Sequence, residues 1–190
     1  MEMNFNSGDL ILYSGHFEPH LRVQKFIGSK WSQVGIFIKW EGRLAIFEST
    51  KVPICKDVEK DEFLIGVQVI WFSEKVAAFN GEIAVRSLLP KLDLKQEKEL
   101  MNFVSLVKGR PYNNSKFFMA RGKQHRNAPG NNSSFVCSQL VAEAFQVINI
   151  LQKPPIGLAS GNYSPADFSS EAVLPFINGG HLSSEHQIKP

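Results

Sequence analysis

Two strand-like runs joined by a two-residue turn constrain this chain most. Val34–Trp40 and Arg43–Ser49 are rich in β-branched and aromatic residues, with only Glu41-Gly42 between them. So short a connection, ending in glycine, closes a hairpin and pairs the two runs antiparallel. Asp9–Tyr13, Gly66–Phe72 and Glu82–Leu88 read as further strands on the same residue preferences. Ser73–Asn80 reads as a short helix stopped by Asn80-Gly81, and Leu21, Phe26 and Ile27 form one face of a short helix within His16–Lys30.

The longer helical patterns come later. In Leu94–Lys108, Leu100, Phe103, Val104 and Val107 share a face, and Gly109 ends the pattern. In Phe135–Ile150, Leu140, Val141, Ala144, Phe145 and Ile148 do the same, with Ser133 and Ser134 as candidate caps and Lys153-Pro154-Pro155 as the stop. Ser115–Ala120 reads as a short helix and Arg121–Ser133 as a polar loop with three basic residues, Arg121, Lys123 and Arg126. Pro165 suits the first position of a short helix in Tyr163–Phe168. Strands first and helices after predict an α+β fold with an antiparallel sheet. A chain of 190 residues fits one domain, here 1–177, and the Gly/Ser-rich residues 178–190 read as a flexible tail.

Composition narrows the function classes. Net charge is only +3 and the charges are interspersed, which makes no case for nucleic acid. The 15 Phe predict a bulky core. No apolar stretch reaches membrane-spanning length, and Met1–Gly8 lacks a basic region followed by an apolar run. A cytoplasmic or other intracellular setting is the expectation. Two cysteines, Cys55 and Cys137, do not make a stapled framework, although a pairing between them stays open. No metal-ligand spacing stands out among the histidines, and neither a metal nor another cofactor is expected.

The candidate chemistry centres on Cys137. A thiol in the first turn of a helix feels the positive end of the dipole, which favours thiolate. Its own backbone N–H is a candidate oxyanion donor. The alternative is a cysteine that only packs. Leu44, Ile46 and Glu48 alternate onto one strand face, which predicts an inward carboxylate, either functional or in a buried salt bridge. Cys55 has no visible partner set and reads as structural.

Several short segments, in order, resemble one family. Trp31-Ser32-Gln33-Val34-Gly35 is similar to the Ser-His-Val-Gly strand motif of the permuted NlpC-type, papain-like cysteine hydrolases, the YiiX/YebB-like group. Gly8-Asp9-Leu10-Ile11, Gly109-Arg110-Pro111-Tyr112, Cys137-Ser138-Gln139-Leu140-Val141 and Tyr163-Ser164-Pro165-Ala166-Asp167 resemble its other motifs. The resemblance spans roughly Gly8 to Phe168. It implies a permuted papain-like fold with the base strand ahead of the nucleophile helix. It also implies a nucleophile at Cys137, a base at position 33, an orienting Glu48, and substrate or oxyanion contacts from Tyr112, Asp9 and Ser138. Alternatives from the residues themselves are a core tyrosine at 112 and a turn residue at 9.

The implied activity is a thiol-dependent hydrolase or acyltransferase acting on an amide or ester through an acyl-thioester. Peptide, glycopeptide or lipid-like substrates fit, the last as in the related lecithin:retinol acyltransferase-like proteins, with peripheral membrane contact. One departure matters: position 33 is glutamine, and an amide has no titratable nitrogen to take the thiol proton. A weak or inactive natural variant, an alteration at the base position, and another histidine as base are the three explanations. His16, His20 and His125 are candidates for the last, with His181 and His186 behind them. A ligand-binding module without catalysis is the alternative function.

Overall fold

The computed structural model describes residues 5–114 and 133–190. The expected helix at Ser115–Ala120, the loop charges Arg121, Lys123 and Arg126, and His125 lie outside the described residues. The first elements are β1 (Leu10–Gly15), α1 (His20–Ile27), β2 (Gln33–Trp40), β3 (Arg43–Thr50), β4 (Gly66–Trp71) and α2 (Phe72–Ala78). They are followed by β5 (Gly81–Arg86), β6 (Leu88–Leu89), α3 (Leu94–Val107), α4 (Cys137–Val147), β7 (His181–Leu182) and β8 (His186–Lys189). Six strands form one sheet in the order β4-β3-β2-β1-β5-β8, with antiparallel neighbours throughout. The α+β architecture is therefore as the chain pattern predicts. The β2–β3 turn puts Glu41 at φ 49° and Gly42 at φ 77°, the two left-handed positions that match the twist of paired strands.

Both faces of the sheet are covered, which is why Leu10–Gly15 is buried without alternation. Leu12, Val34, Ile36, Phe47 and Val69 pack on one face beneath α3 and α4. Ile11, Tyr13, Phe37, Ile46 and Ile70 pack on the other, beside Phe72, Val76 and Phe79 from α2 and its end. Helix α3 begins with a reciprocal cap: Asp93 accepts from the Gln96 backbone while the Gln96 side chain accepts from the Asp93 backbone. No helix among the described residues is long and apolar enough to cross a membrane.

The helix at His20–Ile27 forms; Leu21 is 45% exposed and Phe26 49% exposed, and His20 is its buried residue. Two expectations need correction. Helix α4 is not capped by Ser133 or Ser134; Val136 holds the cap position with no side-chain bond. The C-terminal residues expected as a frayed tail are paired, β8 with β5 and β7 with β6. Their anchor is Arg86, whose guanidinium donates to the carbonyls of Phe168, Ser169, Leu182 and Ser183. Trp31 Nε1 adds a bond to Glu185 at 3.0 Å.

Candidate functional site

The site is built where two strands part. The β2–β3 pairing runs from Trp40↔Arg43 to Ile36↔Phe47, so Gln33, Val34 and Gly35 pair with β1 alone. The chain entering α4 docks at that opening: Ser49 Oγ donates to the Phe135 carbonyl at 2.8 Å. Tyr112 bridges to Phe135 in parallel, which ties the Gly109–Tyr112 turn to the same place. That turn lies against Gly66, at φ 132°; a Cβ there would sit 2.2 Å from the Arg110 carbonyl oxygen, so only glycine fits.

Cys137, 7% exposed, therefore reaches the backbone of β2. The N–H groups of Val34, Ser138 and Cys137 itself are turned to its sulfur and favour the thiolate. The two donors in α4 are first-turn groups with no partner inside a helix. The sulfur thus takes a role that serine caps were expected to fill. Burial outweighs these donors and pushes the thiol up to about 11. Cys137 and Cys55 are both free thiols.

Gln33 and Cys137 line one small recess of about 30 Å³, together with His20, Ser32, Lys51 and Tyr112. Behind Gln33 stands Glu48, fully buried: Gln33 Nε2 donates to its Oε2 at 3.0 Å. Its other oxygen accepts from Lys75 Nζ at 2.8 Å and Gln68 Nε2 at 3.1 Å. Lys75 is as buried as its partner, with its ammonium 4.7 Å from the centre of the Tyr13 ring. The inward carboxylate is thus both a salt-bridge partner and the residue that holds position 33. Tyr13 and Gln68 complete a polar group enclosed by Cys55 and Phe79.

His20 is held close to this group. Its ring packs on Gly15, where a Cβ would come within 2.5 Å of it, and between Phe17 and Phe79. His20 Nδ1 lies 2.6 Å from Ser32 Oγ, which also donates to the Tyr13 carbonyl. Burial first, and the Lys75 charge second, lower its pKa to about 4. His20 is therefore neutral at pH 7.

The remaining predicted residues divide. Tyr112 lines the recess, and burial and the neighbouring Cys137 raise its phenol. Ser138 flanks Cys137, but its hydroxyl donates to the Tyr163 carbonyl at 2.6 Å and so fastens the late turn. Asp9 is not at the site. It lies at the far end of β1 from Tyr13, accepting from Leu88 N and Asn6 N, as a buried turn residue would. His181 and His186 are exposed in the C-terminal strands, and His16 is exposed just past β1. Sequence reasoning missed Lys75 and Gln68. Lys75 recurs four residues before Phe79 on the inward side of α2, which was the available signal.

A wider cleft of about 410 Å³ opens beside Cys137. Val23, Phe26 and Ile27 of α1 form one wall, and Tyr163 and Pro165 face into it.

No protein-family model matches this sequence, and no curated protein does. Among solved structures, the chain is similar to the crystal structure of the metalloprotein yiiX (DUF1105) from Escherichia coli O157:H7. The likeness has a TM-score of 0.55 at 18% identity, over 76% of this chain and 66% of that one. The shared feature is the fold. Among the described residues no group of three or more His, Cys, Asp or Glu could hold a metal ion. Around Cys137 the recess offers one thiol and one imidazole whose Nδ1 is engaged by Ser32, which does not fit a metal.

Proposed function

We propose that this chain is a binding derivative of a permuted papain-like thiol hydrolase, holding a small molecule in the cleft beside Cys137 without turning it over. The likeness to yiiX and the ordered motifs support the family reading. One observation carries the loss of turnover: position 33 holds an amide, bonded to a Glu48 whose charge Lys75 already balances. Thiol catalysis needs a neighbour that accepts the thiol proton and returns it to the leaving group. Gln33 does neither. His20 is a poor substitute. Burial raises the Cys137 thiol and lowers the His20 imidazole, so proton transfer from one to the other runs uphill.

A second reading keeps the enzyme, as a hydrolase or acyltransferase working through an acyl-thioester at Cys137. The three backbone N–H groups at the sulfur favour it. In that reaction the thiolate attacks an ester or amide carbonyl, the alcohol or amine leaves with a proton, and water or another acceptor takes the acyl group.

The test is intact-mass analysis after exposure to p-nitrophenyl butyrate, with iodoacetamide labelling of Cys137 across pH. The binding reading expects no acyl adduct and labelling that still climbs above pH 9. An adduct at Cys137 that forms and turns over, with labelling already at its plateau below pH 7, establishes the enzyme instead.

A further inference from the structure

Among the described residues Lys75 is the only buried lysine. A buried amine is costly to keep, and this one has no part in the chemistry at Cys137 beyond balancing Glu48. Its Nζ donates to Glu48 Oε1 at 2.8 Å, and Gln68 Nε2 donates to the same oxygen at 3.1 Å. A primary amine and a primary carboxamide therefore meet at one carboxylate oxygen. Water is excluded there: Glu48, Gln68 and Lys75 are each no more than 1% exposed. The chain assembles them locally. Gln68 lies opposite Glu48 in the β3–β4 pairing, β4 passes directly into α2, and Lys75 follows in the first turn of that helix.

The Gln68 amide is held at one end only. Its nitrogen is bonded to Glu48, but its Oε1 accepts no hydrogen bond among the described residues. Buried side-chain oxygens are nearly always paired, so an open one asks for a reason other than packing. Gln33 provides the contrast. Its Nε2 is bonded to Glu48 Oε2, the oxygen to which Lys75 does not donate.

We propose that Lys75 and Gln68 join within the folded chain as an Nε-(γ-glutamyl)lysine amide, with Glu48 moving the protons. A proton passes from Lys75 Nζ to Glu48 along their hydrogen bond. The neutral amine attacks Gln68 Cδ, forming the Nζ–Cδ bond and placing an electron pair on Oε1. Glu48 gives its proton to Nε2 and takes a second one from Nζ. The carbonyl re-forms, the Cδ–Nε2 bond breaks, and ammonia leaves. An ammonium, a carboxylate and a carboxamide thus become a secondary amide, a carboxylic acid and ammonia, with no change of oxidation state. Holding amine and amide on one oxygen makes the step unimolecular, and the dry surroundings remove competing hydrolysis. A protonated Glu48 still accepts from Gln33 and supports an imidazolium no better than a paired one, so the bridge leaves position 33 without a base.

Mass spectrometry of the full chain, freshly purified and after prolonged warm incubation, tests the proposal. The bridged protein is lighter than its sequence by one ammonia, and the lighter fraction grows with incubation. Trypsin then fails at Lys75 and leaves residues 61–86 as one peptide, in which fragmentation confines the loss to the span from Gln68 to Lys75. Lys75→Arg keeps a cation for Glu48 and should retain the full sequence mass. The parent incubated in concentrated urea should retain it too, because nothing then holds the amine against the amide. A folded parent that keeps its sequence mass throughout overturns the proposal, however the variant behaves. An ammonia loss that persists in Lys75→Arg, or that maps to an asparagine, overturns it as well. So does a link from Lys75 to Gln33, which would join residues 61–86 to a second peptide.

Discussion

Glu48 is the residue whose surroundings decide what position 33 can do. In a thiol–imidazole pair the imidazole becomes a cation when the thiol gives up its proton, and a carboxylate behind it stabilises that cation. Here the carboxylate already has a cation, Lys75 at 2.8 Å, in a space closed to water. A second positive charge at position 33 would share one negative charge with an ammonium. A neutral amide fits this arrangement; an imidazolium does not. Gln33→His alone should therefore add little ester hydrolysis. Pairing it with Lys75→Met should add more, because Glu48 is then free to support the new ring. Lys75→Met by itself strands a buried carboxylate and should cost about 3–5 kcal/mol, read from urea midpoints. The double variant should recover part of that loss below the pKa of the introduced imidazole. If Gln33→His alone is as active as the double variant, Lys75 has no part in silencing the site.

At the scale of elements, legibility followed the range of the interactions. The hairpin at Glu41-Gly42 and helix α3 were readable because their signals, a two-residue turn and a repeated apolar face, are local. The meeting of Cys137 with Gln33, and of Gln33 with Glu48, was legible only through the order of the motifs. Local signals left two features unread. The pattern of Leu21, Phe26 and Ile27 gave helix α1 but not its buried residue: Gly15 leaves room for a histidine ring, and His20 takes the inside position. The C-terminal strands looked like a tail because their own residues carry no strong pattern, while their anchor lies about ninety-six residues away in Arg86. Arg86 meets four carbonyl oxygens with one planar fork, a geometry that a lysine cannot copy. Arg86→Ala should destabilise the protein by about 3–5 kcal/mol and speed hydrogen exchange at 181–189 before the rest of the sheet. Arg86→Lys should fall between. Exchange at those residues unchanged in Arg86→Ala would mean that pairing with β5 alone holds them.

For the molecule as a whole, burying the sheet on both faces puts a polar group at its centre, and that placement couples folding to pH. His20 is the clearest instance. Its ring titrates near 4 in the folded protein, lowered by burial and then by Lys75, with Glu48 pulling weakly the other way. In the unfolded chain an ordinary imidazole titrates near 6.5. Between those values the unfolded chain holds a proton that the folded one refuses. Stability must then rise with pH across this window: the contribution is complete above about pH 6.5 and is lost as pH falls toward 4. Its ceiling is about 3 kcal/mol, since each pH unit is worth about 1.4 kcal/mol per proton. Asp9 works in the opposite sense, because burial raises its carboxyl in the folded state and favours folding as that group protonates. The parent protein shows only the sum, so the difference between parent and His20→Gln isolates the histidine. Urea unfolding midpoints measured from pH 4 to 7.5 should show a steeper acid loss in the parent than in the variant, whatever the variant's stability at pH 7. Parallel slopes would mean that His20 accepts its proton in the folded state as readily as in the unfolded one, and that the space between Gly15, Phe17 and Phe79 is open to water.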